Sequence, residues 1–152
     1  MLDLREELRG IIEALDRAGI SYALAGGLAV SLYAVPRATE DIDLAIAVRD
    51  RDAALRAVAP LGYRWSGRPI PVARGRLSIQ RVIKIEGTDL VPLDFLMAVD
   101  PEIAEWLADR VAMEWNERRV YVVSRRSLRA LKRLRGSPQD LADLHALGPE
   151  DP

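Results

Sequence analysis

Two adjacent glycines, Gly26 and Gly27, separate one short apolar run from another, and this break constrains the fold more than any other feature of the chain. Residues 20–25 have the length and the apolar character of a strand. Residues 28–35 form a compact apolar segment that Pro36 ends, as proline ends helices. The chain therefore predicts a strand–glycine–helix unit, in which glycine allows close approach to the backbone and the helix N-terminus can face a phosphate.

The next segment, residues 41–48, alternates between apolar and other side chains with the period of a β-strand. Its apolar face carries four residues, Ile42, Leu44, Ile46 and Val48. Asp41 and Asp43 lie with two alanines on the opposite face, which we expect to lie outside the core. Two residues so spaced on a strand point the same way, with Cα atoms about 6.5–7 Å apart.

This spacing suits metal-assisted phosphoryl chemistry, because both carboxylates can reach a shared pair of metal ions about 3.5–4 Å apart. Asp94, in another predicted strand, could complete the cluster. Three unpaired carboxylates this close would repel one another, so the arrangement makes sense mainly when divalent cations and phosphate oxygens occupy it. The chain has no cysteine and one histidine, so oxygen must hold any metal, and we expect Mg²⁺. The bare pattern also occurs by chance on protein surfaces, but its place at a strand–helix junction and on a non-core face favours a site.

The remaining periodicities predict one domain over residues 1–152, of α+β (α/β) class, with a small mixed β-sheet, helices mainly on one face and a C-terminal helix pair. We expect helices over residues 4–15, 51–61, 101–113, 124–135 and 137–147. Strands are expected over 119–123 and as a hairpin over 77–85 and 90–98, where Pro92 favours an edge position or a bulge. Residues 62–76 are predicted to form a mobile loop.

Composition excludes several classes of protein. Of the residues, 49% are apolar and 30% are charged, as in ordinary globular proteins, and no apolar run approaches the roughly 20 residues of a membrane span. The first residues lack the basic-then-apolar pattern of a signal peptide. We therefore expect a cytoplasmic protein with no membrane partner.

Charge is segregated along the chain. Residues 53–85 carry seven basic side chains and residues 118–135 carry eight, with no acidic residue in either stretch. These stretches could meet an anion, but charge alone favours solvated faces that pair across the fold. Lys132 could neutralise a triphosphate or belong to such a face, whereas Asp140 and Asp143 are better interpreted as a helix-terminal charge and a surface pair. Tyr63 and Trp65 could stack on a base, but anchoring of the loop to the core is favoured.

At three places the chain resembles the nucleotidyltransferase superfamily with the polymerase-beta-type palm. These are Ala-Gly-Gly-Leu-Ala-Val at 25–30, Arg-Ala-Thr-Glu-Asp-Ile-Asp-Leu at 37–44 and Val-Pro-Leu-Asp-Phe-Leu at 91–96. The nearest likeness is to abortive-infection toxin-type and short antibiotic nucleotidyltransferases, including a tail in which a lysine, Lys132, precedes paired aspartates, Asp140 and Asp143. One departure is Gly27, which stands where many members place a phosphate-binding serine.

The resemblance implies a role for each matched residue. Asp41 and Asp43 would ligate two Mg²⁺ ions, and Asp94 would ligate one of them and help to deprotonate the acceptor hydroxyl. A second set would bind the nucleotide, namely Gly26 and Gly27 at the β- and γ-phosphates together with Arg37, Thr39 and Lys132.

These features together predict an Mg-dependent nucleotidyltransferase that moves an NMP group from an NTP to an acceptor hydroxyl and releases pyrophosphate. The acceptor is left open among an RNA 3′ end, a protein side chain and a small antibiotic. The main alternative is a catalytically degenerate binding partner in a toxin–antitoxin pair, with a cognate partner protein. A nucleotide-sugar glycosyltransferase with an Asp-x-Asp motif is disfavoured, since it needs a longer chain.

Overall fold

Six helices and eight strands are formed by the part of the chain that the computed structural model describes, residues 2–34, 36, 38–65, 67–101 and 105–149. The helices are α1 (Leu4–Arg17), α2 (Gly26–Tyr33), α3 (Arg51–Val58), α4 (Glu105–Ala108), α5 (Arg125–Arg135) and α6 (Pro138–Leu147). The strands are β1 (Tyr22–Ala25), β2 (Ile42–Ile46), β3 (Arg64–Trp65), β4 (Ile70–Val72), β5 (Leu77–Glu86), β6 (Asp89–Ala98), β7 (Val111–Trp115) and β8 (Arg118–Val122).

The strands form one mixed sheet in the order β3-β5-β6-β2-β1-β8-β7, and β4 also pairs with β5. The β2/β6 and β1/β8 pairs are parallel, whereas the other pairs are antiparallel. After the sheet, α5 and α6 pack against each other as a C-terminal pair. The predicted α+β class, the mixed sheet and the helix pair are therefore confirmed.

The core forms where the predicted apolar stripes meet. Leu8, Ile11 and Leu15 of α1 are fully buried, as are Ile42 and Leu44 of β2. Burial of a side chain of this size contributes about 1.5–3 kcal/mol, so the α1 stripe and the alternating strand are strong determinants of the fold.

The opposite face of β2 is less exposed than the alternation predicts. Ala45, which shares that face with Asp43, is also fully buried. Because α2 and α4 both contact β2, the sheet is covered beyond its apolar face, and the small alanine side chain allows close packing. Asp43 is therefore held in a partly buried environment rather than on an open face.

The helix predicted over residues 101–113 is wrong at its C-terminal end. The described helical part is α4 alone, and Val111–Trp115 is a strand that forms a hairpin with β8. The two connecting residues, Asn116 and Glu117, have φ angles of 49° and 65°, which the tight turns of twisted hairpins require. Asparagine tolerates this conformation well, so Asn116 was the residue from which the turn could have been predicted.

The loop predicted over residues 62–76 contains two short strands. β3 and β4 both pair with β5, so backbone hydrogen bonding to a long neighbouring strand overrides the Gly/Pro/Arg-rich composition. Tyr63 is fully buried and its hydroxyl donates to Glu7 at 3.0 Å, which confirms that it anchors this segment.

The predicted hairpin of β5 and β6 is confirmed, with Gly87 and Thr88 as its turn. Pro92 lies opposite Ile83 on β5, but the pairing of β6 with β2 begins one residue later, at Leu93. The proline thus lies where β6 has a neighbour on one side only, which is the edge position that its missing N–H requires. None of the described helices has both the length and the hydrophobicity that crossing a bilayer requires.

Candidate active site

The sheet register places two of the predicted metal ligands side by side. Asp43 of β2 and Asp94 of β6 are partners in the parallel β2/β6 pair, and partner residues on neighbouring strands point to the same face. Asp41 lies immediately before β2 and is half exposed, with 46% of its side chain accessible. The three carboxylates that the sequence predicts to cluster therefore come together at the beginning of β2.

Gly26 packs directly against one of these carboxylates. The antiparallel pairing of β1 with β2 places Ala25 opposite Asp43, and α2 begins at the next residue. A Cβ atom on Gly26 would lie 1.9 Å from Oδ2 of Asp43, and Gly26 has a φ of +63°. Both facts require glycine. The Asp43 carboxylate thus lies against the N-terminus of a helix that has no side-chain cap, where the helix dipole favours negative charge.

The site raises the pKa of its central carboxyl group, that of Asp43. Burial and then the neighbouring Asp94 carboxylate raise the pKa of Asp43 to about 6, against smaller opposing effects of Arg135 and Lys132. Asp41 adds a further small increase. A carboxyl group so perturbed beside two others is a typical sign of a functional site.

A basic residue that the sequence analysis missed lies within the carboxylate cluster. Arg81 of β5 is the direct partner of Asp94 in the β5/β6 hairpin. Its Nε and Nη2 donate to Oδ1 and Oδ2 of Asp94 at 2.8 and 2.9 Å, and Nη2 lies 3.8 Å from Oδ2 of Asp41. The available signal was the hairpin itself, because residues 81 and 94 are equally distant from its turn.

The expectation that the three carboxylates are unpaired is therefore wrong. The guanidinium of Arg81 lies between Asp41 and Asp94 and neutralises their charge, as a bound metal ion would. The carboxylate oxygens at this place therefore suit a cation. Among the described residues, no group of three acidic, histidine or cysteine side chains is arranged to hold a metal ion as it stands. Carboxylate oxygens are nevertheless the ligands that Mg²⁺ prefers.

Lys132, Asp140 and Asp143 form a second ionic cluster, which joins α5 to α6. Nζ of Lys132 lies 3.2 Å from Oδ1 of Asp140 and 3.0 Å from Oδ2 of Asp143, and at most 7% of any of these side chains is exposed. The interpretation of the two aspartates as surface residues is thus wrong. Burial opposes ionisation of Asp140, but hydrogen bonds from the side chain and backbone of Ser137, and then Lys132, hold its pKa below the ordinary value.

The other predicted nucleotide-binding residues lie around the cluster or outside the described residues. The hydroxyl of Thr39 donates to the backbone carbonyl of Asp41 at 3.4 Å. Gly27 is buried in the first turn of α2, and its carbonyl accepts from Ser31. Arg37 lies outside the described residues.

A cavity of about 480 Å³ lies beside α5 rather than between the glycines and the carboxylates. It is lined by residues of α4, α5 and the turn before β5, namely Arg76, Glu105, Trp106, Arg126, Ser127, Ala130, Leu131, Arg133 and Leu134. None of the three aspartates lines it, although α5, which lines the cavity, also carries Lys132.

Comparison with known proteins yields one family and several related folds. The model of a family described as the nucleotidyl transferase AbiEii toxin of type IV toxin–antitoxin systems matches residues 11–151. The crystal structure of the lincosamide antibiotic adenylyltransferase LnuA with lincomycin bound is similar at a TM-score of 0.61 and 14% identity, over 93% of this chain and 94% of that one. ANT(2″)-Ia in complex with adenylyl-2″-tobramycin is similar at 0.59 and 18% identity, over 92% and 84%.

At these identities the structural likeness shows a shared fold. No curated protein matches the chain in sequence.

Proposed function

The chain belongs to the family of AbiEii nucleotidyl transferases, and from this membership we propose that it transfers a nucleoside monophosphate from an NTP to an acceptor hydroxyl, with release of pyrophosphate. The observation that carries the proposal is the meeting of Asp41, Asp43 and Asp94 beside Gly26 at the N-terminus of α2. Carboxylates for a divalent cation and a helix N-terminus for phosphate are the two components that this reaction needs.

Each residue has a defined task in this proposal. Two Mg²⁺ ions held by Asp41, Asp43 and Asp94 would supply Lewis-acid stabilisation of the charge on the transferred phosphate. The backbone at Gly26 and Gly27 binds the β- and γ-phosphates, because neither glycine carries a side chain of its own that would keep a phosphate from the N–H groups of α2. Thr39 and Arg37 line the nucleotide, and a carboxylate oxygen of Asp94 accepts the proton of the acceptor hydroxyl.

Lys132 acts on this site at longer range. It is paired with Asp140 and Asp143, yet its charge still lowers the pKa of Asp43, so it contributes positive potential at the cluster. In the proposal this potential favours a bound triphosphate, while the buried ion pairs keep the lysine side chain fixed.

The test is a transfer assay with each α-labelled NTP and Mg²⁺. Pools of RNA, of protein and of lincosamides or aminoglycosides serve as acceptors, since the superfamily likeness leaves these three classes open. We expect one pool to gain label and pyrophosphate to be released, and Asp43→Asn to abolish both.

A matched control for the Asp43 variant is Asp52→Asn. Asp52 lies in α3, its side chain is 73% exposed, and it pairs with Arg51 outside the cluster. Asp52→Asn should transfer label as the unmodified chain does. Transfer by Asp43→Asn at the unmodified rate would contradict the proposal.

One observation favours a second function, that of a catalytically inactive partner in a toxin–antitoxin pair. The Arg81–Asp94 pair uses both oxygens of a carboxylate that the reaction needs, and a permanent pair would prevent metal binding there. This alternative predicts no Mg·NTP binding by calorimetry and tight association with a cognate protein.

A further inference from the structure

We propose that Arg81 is a built-in counter-ion that competes with divalent metal for Asp94 and Asp41, so that metal binds to the cluster only by displacing the guanidinium. This inference rests on the proposed function, because it assumes that the carboxylate cluster binds metal. It assigns Arg81 the role of a competitor of metal, which the motifs of the sequence do not indicate.

The hydrogen-bond geometry is the first argument for competition. Two parallel N–H donors of Arg81 contact the two oxygens of Asp94 at 2.8 and 2.9 Å, in the fork-to-fork arrangement that is the strongest arginine–carboxylate contact. Nη2 also lies 3.8 Å from Asp41. A metal ion bound by Asp94 and Asp41 together would occupy the space beside this guanidinium.

Electrostatics is the second argument. A monovalent cation and a divalent cation at the same two carboxylates repel each other, by an energy that rises steeply as the local dielectric constant falls. The carboxylates as arranged around Arg81 do not form a ready metal site among the described residues. Departure of Arg81 from Asp94 would therefore free the oxygens and remove the repulsion in one step.

Exposure distinguishes Arg81 from Lys132, another cation that acts on the cluster. The Arg81 side chain is 45% exposed, so water can solvate the guanidinium when it leaves Asp94. Lys132, by contrast, is 6% exposed and paired with two buried aspartates, so its release would leave buried charges without partners. Of these two described cations, Arg81 is therefore releasable and Lys132 is fixed.

The test is a titration with Mn²⁺ alone. Binding is measured from the electron paramagnetic resonance signal of the free ion. We expect Arg81→Gln to bind Mn²⁺ about three- to tenfold more tightly than the unmodified chain, because the competitor is gone. Arg81→Lys should give a smaller increase, since it keeps the charge but loses the fork.

The matched control is Lys84→Gln, on the same strand. Its ammonium pairs with Glu7 at 2.8 Å, away from the cluster, so its loss should leave the Mn²⁺ affinity unchanged. Equal or weaker binding by Arg81→Gln would overturn the inference, because it would mean that Arg81 holds the carboxylates ready for metal. If Arg81→Gln does not fold, Arg81→Lys decides by the same criterion.

Asp43→Asn separates this inference from the proposed function. If Asp43→Asn weakens Mn²⁺ binding and Arg81→Gln does not strengthen it, the competition alone is overturned. If Asp43→Asn leaves Mn²⁺ binding unchanged, metal does not bind at the cluster and both proposals are overturned.

Discussion

Gly26 illustrates how a single residue determines the site. The first residue of α2 must combine a left-handed backbone with close contact to the Asp43 carboxylate, and only glycine satisfies both conditions. Gly19, which follows α1, has a similar φ of +70° but no atom within 4 Å of its Cβ position. Substitution of Gly19 therefore measures the free-energy cost of the backbone conformation alone. Substitution of Gly26 adds the cost of the clash with Asp43.

We predict that Gly26→Ala destabilises the chain more than Gly19→Ala does. Gly19→Ala should cost about 1 kcal/mol, the ordinary penalty for a side chain in the left-handed region. Gly26→Ala should cost about 2–4 kcal/mol, because Asp43 must also move away from its place against α2. Urea denaturation of both variants measures the difference, and equal losses would show that Asp43 moves freely.

The raised pKa of Asp43 makes the free energy of unfolding depend on pH. Its pKa is about 6 in the folded chain and about 4 in an unfolded one, so the folded state binds more protons between these values. The group therefore favours folding fully below about pH 4 and loses this contribution as the pH rises through about 6.

We predict that Asp43→Asn is more stable than the unmodified chain at pH 7.5, by about 1–2 kcal/mol, and that the advantage disappears near pH 4. The reason is that asparagine removes a charge that burial and Asp94 disfavour. Denaturant unfolding at the two pH values tests this, with the exposed Asp52→Asn as a control that should show no such difference. A loss of stability in Asp43→Asn at pH 7.5 would contradict it.

At the scale of elements, the sequence predicts most helices and strands, including the two strands of the long hairpin. Those predictions succeed where a periodic apolar pattern coincides with a helix end or a turn, as at Gly19 and Gly87. They fail at β3, β4 and β7, whose pairing depends on a partner strand rather than on their own residues. Asp41 and Asp43 were predicted from their spacing and Asp94 from its place in another predicted strand, but Arg81 becomes visible only when the hairpin register is used.

A buried ionic cluster joins α5 to α6. Lys132 of α5 neutralises two buried carboxylates of α6, and Asp140 is additionally held by the capping box with Ser137. Removal of one partner from such a buried cluster leaves uncompensated charge.

We predict that Lys132→Met destabilises the chain by about 3–5 kcal/mol. Arg126→Met is the matched control, since Arg126 is an exposed cation of the same helix, and it should change stability by less than about 0.5 kcal/mol. Urea denaturation at pH 7.5 compares the two variants. Similar losses would mean that the cluster is solvated in solution.

At the scale of the whole molecule, the segregated charges of the sequence pair across the fold. The basic stretch 53–85 supplies Arg81 to Asp94 and Lys84 to Glu7, and the basic stretch 118–135 supplies Arg118 to Glu13. The interpretation of these stretches as faces that pair across the fold is therefore confirmed for these residues. What the sequence alone could not show is that one of these pairs lies within the carboxylate cluster, because that depends on how three strands align.

Metal binding should stabilise the whole chain, and this gives a prediction that combines the site with the fold. A ligand that binds only the folded state adds about 1.4 kcal/mol at tenfold excess over its dissociation constant, which raises the Tm of a chain of this size by roughly 3–5 °C. Because a proton competes with metal at Asp43, whose pKa is about 6, the shift should be full at pH 7.5 and much smaller at pH 5. Thermal unfolding with and without Mn²⁺ measures it, with Asp43→Asn as the variant that should show no shift at either pH. An equal shift in that variant, or a shift that is independent of pH, would place the metal elsewhere on the molecule.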